Sequence, residues 1–192
     1  MHTDHPPIIV ISGAIGSGKG TIVHALEKEL HLHWVPTHTT RPMRHDDSTL
    51  SRRIFDTEAT FQRHVDREEF IETIERGGHR YGLLRDDLEH ELRQGHPVIL
   101  EMNTHGGVKI AEAYPHSLLI FVTADETNRR ERITHRNMDE REVAERMQEA
   151  REEEAMAHKA YDYIVENVEH YPGAAISDIT EIILEQFPEL KQ

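Results

Sequence analysis

The run Ile8–Thr21, IIVISGAIGSGKGT, decides the fold, because it reads as a buried strand, a glycine-rich turn and the first turn of a helix. Gly13, Gly18 and Lys19 have the spacing of a phosphate-binding P-loop. Glycines there let backbone N–H groups curl around phosphate oxygens, where a side chain would block the approach or forbid the dihedrals. Lys19 is placed to reach the terminal phosphates, and a helix over Thr21–Leu30 points its positive end at the same anion. Gly20 follows Lys19 directly, where a Ser or Thr hydroxyl is usual, and Thr21 comes one residue later.

Outward from this stretch, 192 residues suit one compact α/β domain with a sizeable core. With 36 acidic against 22 basic residues, the net charge of -14 argues against nucleic acid or an anionic membrane as partner. A polyanionic ligand must then be met by a local basic cluster. The absence of cysteine excludes a disulfide framework and a thiolate zinc site, and suits a cytoplasmic location. No apolar run approaches membrane-span length, and the start, MHTDHPP, lacks the regions of a secretory signal. Pairs among the 16 histidines, such as His31/His33, invite a metal reading, but none has a zinc-protease spacing, so they are taken as solvated surface residues.

Strands are predicted over Ile8–Ser12, His33–Thr37, Pro97–Met102, Ser117–Thr123 and Tyr163–Val165. Between them, helical spacing marks Leu84–Gln94, Asn128–His135, Glu140–His158 and Ile176–Glu185. Alternation of this kind implies a parallel sheet covered on both faces, with ligands at the carboxyl ends of the strands. Arg52–Gly82 breaks the rhythm: a short strand, a helix over Glu58–Val65, then Phe70–Glu75 and His79–Tyr81 joined at Gly77-Gly78. This reads as a small antiparallel insertion suited to being a lid. Arg141–Glu154 is densely charged and reads as a solvated helix with i,i+4 pairs.

Seven segments in order resemble the guanylate kinase family over nearly the whole chain. Besides the P-loop with its Gly-Lys-Gly-Thr variant, they are THTTRPMR at Thr37–Arg44, EEFIE at Glu68–Glu72, HRYG at His79–Gly82, VILEMNTHGG at Val98–Gly107, the arginine-rich run bearing Arg132, Arg136 and Arg146, and YDYIVEN at Tyr161–Asn167. The resemblance implies a P-loop kinase with a five-stranded parallel sheet flanked by helices. It implies a core of 1–40, 84–128 and 147–192, a mixed acceptor-binding lid at 41–83 and a helical ATP-side lid at 129–146. Nucleotides are the implied partners, with ATP as phosphoryl donor and Mg2+ as cofactor.

The same resemblance assigns roles. Gly13, Ala14, Ile15, Gly16, Ser17, Gly18, Lys19, Gly20 and Thr21, with Arg132 and Asn167, would bind ATP. Lys19, Arg136 and Arg146 would stabilise the transferring phosphoryl group. Thr37, Arg41, Arg44, Arg53, Glu72, Tyr81 and Asn103 would bind the acceptor, and Thr21 and Glu101 would serve the metal, Glu101 through water. The chemistry suits these parts: a guanidinium fork matches a phosphate, and a Glu72 carboxylate can accept from guanine N1 and its exocyclic amine. From pattern alone, Arg41 and Arg44 also suit surface ion pairs, Glu72 a solvent-facing position and Glu101 a structural ion pair. Three residues depart from the family: Arg53 stands where a tyrosine is usual, Leu83 for a small hydroxyl residue and Asn103 for an aspartate. A guanylate kinase is the expected activity; alternatives are a kinase of a ribose bisphosphate and a non-catalytic interaction module.

Overall fold

The computed structural model describes residues 5–43, 52–134, 139–168 and 172–191. Five parallel strands form the main sheet: β1 (Ile8–Gly13), β2 (His33–Trp34), β7 (Val98–Glu101), β8 (Leu118–Thr123) and β9 (Tyr163–Glu166), in the order β2-β7-β1-β8-β9. A second sheet, ordered β4-β3-β6-β5, joins β3 (Thr37–Thr39), β4 (Arg53–Phe55), β5 (Phe70–Arg76) and β6 (His79–Leu84). The helices described are α1 (Lys19–Glu29), α2 (Glu58–Asp66), α3 (Arg85–Arg93), α4 (Thr104–Ala113), α5 (Glu126–Thr134), α6 (Glu140–Ala160) and α7 (Pro172–Gln186).

All of β1 is buried, and alternate residues serve opposite layers. Ile9 and Ile11 join Ile22, Val23 and Leu26 of α1 and Ile179 and Ile183 of α7. Ile8 and Val10 join Leu88 of α3 and Ile110 of α4 on the other side. Helices therefore cover both faces, and the turn after β1 opens at the carboxyl edge of the central strand, between β7 and β8. Among the described residues no helix is long and apolar enough to cross a membrane.

The segment expected as one strand over His33–Thr37 is two, in different sheets. The Val35 N–H still donates to the Ile99 carbonyl at 3.2 Å, but Pro36 has no N–H to continue the ladder. The chain then turns into the second sheet, where β3 runs parallel to β4 and antiparallel to β6. Helix α4, which helical spacing did not mark in the sequence, begins at Thr104 under the Asn103 cap, whose Oδ1 accepts from the Gly106 N–H at 2.9 Å. Its Gly106-Gly107 pair permits close packing.

Tyr161 supplies that packing. Its hydroxyl lies 2.6 Å from Ser12 Oγ and donates to the Thr104 carbonyl at 3.2 Å, tying the end of β1 to the start of α4. Burial pushes the phenol pKa up, with the Ser12 hydrogen bond opposing. A Cβ on Gly107 would fall 2.0 Å from this oxygen. Gly107→Ala should therefore destabilise the fold by about 1–3 kcal/mol, measured by urea unfolding. Adding Tyr161→Phe, which removes the clashing oxygen, should restore part of the loss.

Candidate active site

The loop after β1 is shaped by glycine. Gly16 and Gly18 have φ of 79° and 83°, values that side chains disfavour. A Cβ on Gly13 would meet the Val122 carbonyl oxygen at 2.5 Å. Two side chains clamp the loop from outside: Asn167 Nδ2 donates to the Ser17 carbonyl at 2.7 Å, and an Arg132 guanidinium N–H donates to the Gly16 carbonyl at 2.9 Å. Asn167 Oδ1 is buried without a hydrogen-bond partner. Lys19 is half-buried, and its ammonium donates to the Gly13 carbonyl at 3.2 Å. Burial lowers its pKa against the attraction of Glu101 and Glu153. A cation partly withdrawn from water beside the backbone of a glycine-rich loop is an arrangement completed by an anion.

Thr21, exposed on the first turn of α1, and Glu101, at the end of β7, flank the same loop. A Cβ on Gly20 would lie 3.9 Å from Glu101 Oε2, so the missing side chain leaves room beside that carboxylate.

Facing the loop is the second sheet, whose register sorts its residues. Thr37 pairs with Arg53, Thr39 with Phe55 and Tyr81, Ile74 with Tyr81, and Glu72 with Leu83, so these side chains share one face. His38, Ile54, Thr73 and Gly82 occupy the reverse. Phe70 would ordinarily share a face with Glu72, two residues on. A bulge between them changes this: Phe70 turns to the reverse face, where a Cβ on Gly82 would strike its ring at 2.7 Å, and Glu72 turns to the front.

Glu72 is consequently buried. Its Oε1 accepts from Asn103 Nδ2 at 3.1 Å while Oε2 has no partner. Burial pushes its carboxyl pKa up, against the Asn103 hydrogen bond. Gly106 makes this approach possible, since a Cβ there would sit 2.7 Å from Glu72 Oε1. Asn103 thus bridges the two sheets, accepting from α4 and donating to Glu72, which an ionised aspartate could not do. Leu83 is fully buried in the apolar cluster with Leu88, Leu100 and Met102, so a hydroxyl residue there would lose core packing.

Arg41 is buried, with one guanidinium N–H on the Pro42 carbonyl at 2.9 Å and its Cζ 5.7 Å from the Phe55 ring centre. Arg53 reaches to 4.0 Å from Glu101 Oε1. Arg44 and Arg136 lie outside the described residues. Arg146, on α6, donates to Glu149 Oε2 at 2.8 Å. Arg76, at the end of β5, donates to the same oxygen through Nε at 3.1 Å and a terminal nitrogen at 2.9 Å, and lies 3.7 Å from Glu153.

Sequence reasoning missed Arg76, Glu149 and Glu153. The helix is not solvated all round as expected: Arg141 pairs with Glu145 outside, but Arg146, Glu149 and Glu153 turn toward the β5–β6 hairpin. Their i, i+3, i+7 spacing beside buried Val143, Met147 and Ala150 was the available signal.

Comparisons with known proteins agree with this geometry. The family model described as guanylate kinase matches residues 5–185. A guanylate kinase of Halalkalibacterium halodurans is 31% identical over 171 residues, 88% of this chain and 84% of that protein. One from Caldanaerobacter subterraneus is 34% identical over 163 residues, 83% and 79% of the two chains. The crystal structure of guanylate kinase from Anaplasma phagocytophilum shares the fold, with a TM-score of 0.71 at 23% identity over 99% of this chain and 91% of that one.

The raised pKa of Glu72 makes a stability prediction. An acid whose folded pKa exceeds its unfolded value costs nothing below the unfolded pKa, destabilises the fold progressively as pH rises above it, and carries its full cost above the folded pKa. Glu72→Gln removes that buried charge while its amide oxygen can still accept from Asn103, so it should stabilise the ligand-free protein at neutral pH by about 1 kcal/mol. Thermal unfolding should show a higher Tm than wild type at neutral pH. The gap should close on acidification, as the wild-type carboxyl takes up its proton.

Proposed function

The chain belongs to the guanylate kinase family and is a nucleoside monophosphate kinase, and from that premise we propose that it transfers the γ-phosphoryl group of ATP to GMP or dGMP. The observation that carries the choice of base is the buried Glu72 carboxylate on the front of the second sheet, with one oxygen set by Asn103 and the other lacking a partner. Guanine offers two adjacent N–H donors to such a group, whereas adenine presents an acceptor at N1. Because a buried acceptor without its donors is costly, the site rejects a base that cannot donate.

Transfer asks mainly for alignment and charge neutralisation. An acceptor phosphate oxygen attacks the γ-phosphorus in line, the bond from that phosphorus to the β–γ bridging oxygen breaks, and ADP leaves with the electron pair. Arg41, Arg44 and Arg53, with Tyr81 and Thr37, hold the acceptor, and Asn103 orients Glu72. Lys19 follows the charge moving between donor and acceptor, and Arg136 and Arg146 close over it. Arg132 and Asn167 keep the loop in shape for the ATP phosphates.

Thr21 and Glu101 fit Mg2+: a hydroxyl and a carboxylate are hard oxygen donors, and the missing Gly20 side chain leaves room beside the Glu101 carboxylate. When bound, the ion would neutralise charge on the donor phosphates.

Lys19→Met should lower kcat by about 100-fold or more while circular dichroism and Tm stay near wild type. Initial rates across GMP, dGMP, AMP, IMP and ribose 1,5-bisphosphate test the acceptor. The guanine nucleotides should lead, and Glu72→Gln should cut the GMP-over-AMP preference by about 10-fold or more. Turnover of the ribose bisphosphate with GMP ignored would reject the guanine assignment.

A further inference from the structure

The reverse face of the second sheet carries a cluster that phosphoryl transfer does not use. Among the described histidines only His38 is buried. Its Nδ1 lies 2.7 Å from Asp56 Oδ2 and its Nε2 3.1 Å from Asp87 Oδ2. His64, across from it on α2, has Nδ1 2.5 Å from Glu69 Oε2. Ligand atoms of His38, Asp56 and His64 all lie within 4.8 Å of one another. Phe70 walls the cluster, its ring 6.2 Å from that of His38 and 5.8 Å from that of His64. We propose that His38, Asp56 and His64 form a binding site for a divalent transition-metal cation, with Zn2+ the best match, on the back of the acceptor sheet.

The hydrogen bonds already made by the two imidazoles decide which nitrogens an ion could take. A metal-bound imidazole uses one ring nitrogen on the ion and donates the other N–H to a carboxylate or carbonyl, which sets the tautomer. Both rings here have that second partner. His38 has Asp87 on Nε2 and, on Nδ1, Asp56, so an ion would take the place of the proton those two share; His64 has Glu69 on Nδ1, so Nε2 is the nitrogen it would give to the ion. Two imidazoles and one carboxylate suit Zn2+, and solvent can complete the set because the His64 side chain is 26% exposed. The ion would also offset a group of carboxylates whose Asp56 member is only 9% exposed.

A second surface trio fails this test. His33 and His96 both direct Nδ1 at Glu91, at 2.8 and 2.7 Å, but their rings stack 3.7 Å apart at 18°. A metal lies in the plane of each ring it binds, and near-parallel planes at that spacing meet far from either nitrogen.

The consequence is mechanical. His38 stands on β3, three residues before Arg41, Asp56 follows β4, and His64 belongs to α2. One ion would pin the strand leading into the arginine segment to the helix behind it.

The test uses the full chain without added histidines, stripped with a chelator and titrated with Zn2+ against a chromophoric competitor. Co2+ serves as the spectroscopic probe. One equivalent of Zn2+, a rise in Tm on binding and intense visible Co2+ bands of low coordination number are expected. His64→Ala, at a side chain open to solvent on one side, should leave the circular dichroism spectrum of the metal-free protein unchanged, weaken Zn2+ by about 100-fold and abolish the Co2+ bands, and Asp87→Asn should cost about 10-fold. The His33→Ala/His96→Ala double variant should bind as wild type. Failure to take up one equivalent, unchanged affinity in His64→Ala, or loss in the His33/His96 variant would each overturn the proposal. The cluster would then be a histidine pair held by carboxylates alone.

Discussion

A lysine drawn partly out of water with a backbone carbonyl as its hydrogen-bond partner is the constraint on which the rest of the structure depends. Withdrawing an ammonium from solvent is costly unless counter-charge is near. Glu101 and Glu153 attract Lys19 without overcoming its burial. The loop must also keep its shape when its ligand is absent, which accounts for clamps from two segments far along the chain from it: Asn167 from beyond β9 and Arg132 from α5. Each meets a carbonyl of the loop and leaves its N–H groups to the anion. A sheet with β1 at its centre and apolar layers on both sides supplies the rigid base.

The second sheet solves a different problem, that of presenting different chemistries on its two sides. Its front gathers Thr37, Arg53, Glu72 and Tyr81, and its back gathers His38, Phe70 and the packing against α2. One bulge separates Phe70 from Glu72, and the bare Gly82 makes room for the phenylalanine ring. Glu72 is then buried against Asn103 and Gly106, at a cost in stability tolerable where a ligand supplies the missing donors.

Net charge and local charge point in opposite directions. The chain carries -14, yet Lys19, Arg41, Arg53, Arg76, Arg132 and Arg146 gather about the cleft. Several are balanced by carboxylates within hydrogen-bonding reach. Glu149 takes bonds from both Arg76 and Arg146, which hold its carboxyl pKa low despite the burial that opposes its charge. That shared carboxylate joins the tip of the β5–β6 hairpin to α6. Surface pairs of this kind contribute modestly to stability; their value here lies in geometry.

The sequence by itself determined the loop, the parallel core and the family, because those depend on local spacing: glycines where φ must be positive, a lysine at the helix start, apolar runs alternating with helical periods. It also marked Glu72 and Asn103 as residues to follow. Only the tertiary structure decided which way Glu72 faces, since a period of two would pair it with Phe70 and the bulge lies in the register of two strands. The split of His33–Thr37 between sheets, the reading of Gly106-Gly107 as helix and the turn of Glu149 and Glu153 toward the hairpin have the same cause. Each depends on a neighbour distant along the chain. His38 and Asp87 are far apart in sequence and meet only because β3 pairs with β6, against which α3 packs. Spacing rules, which see one segment at a time, could not bring those groups together.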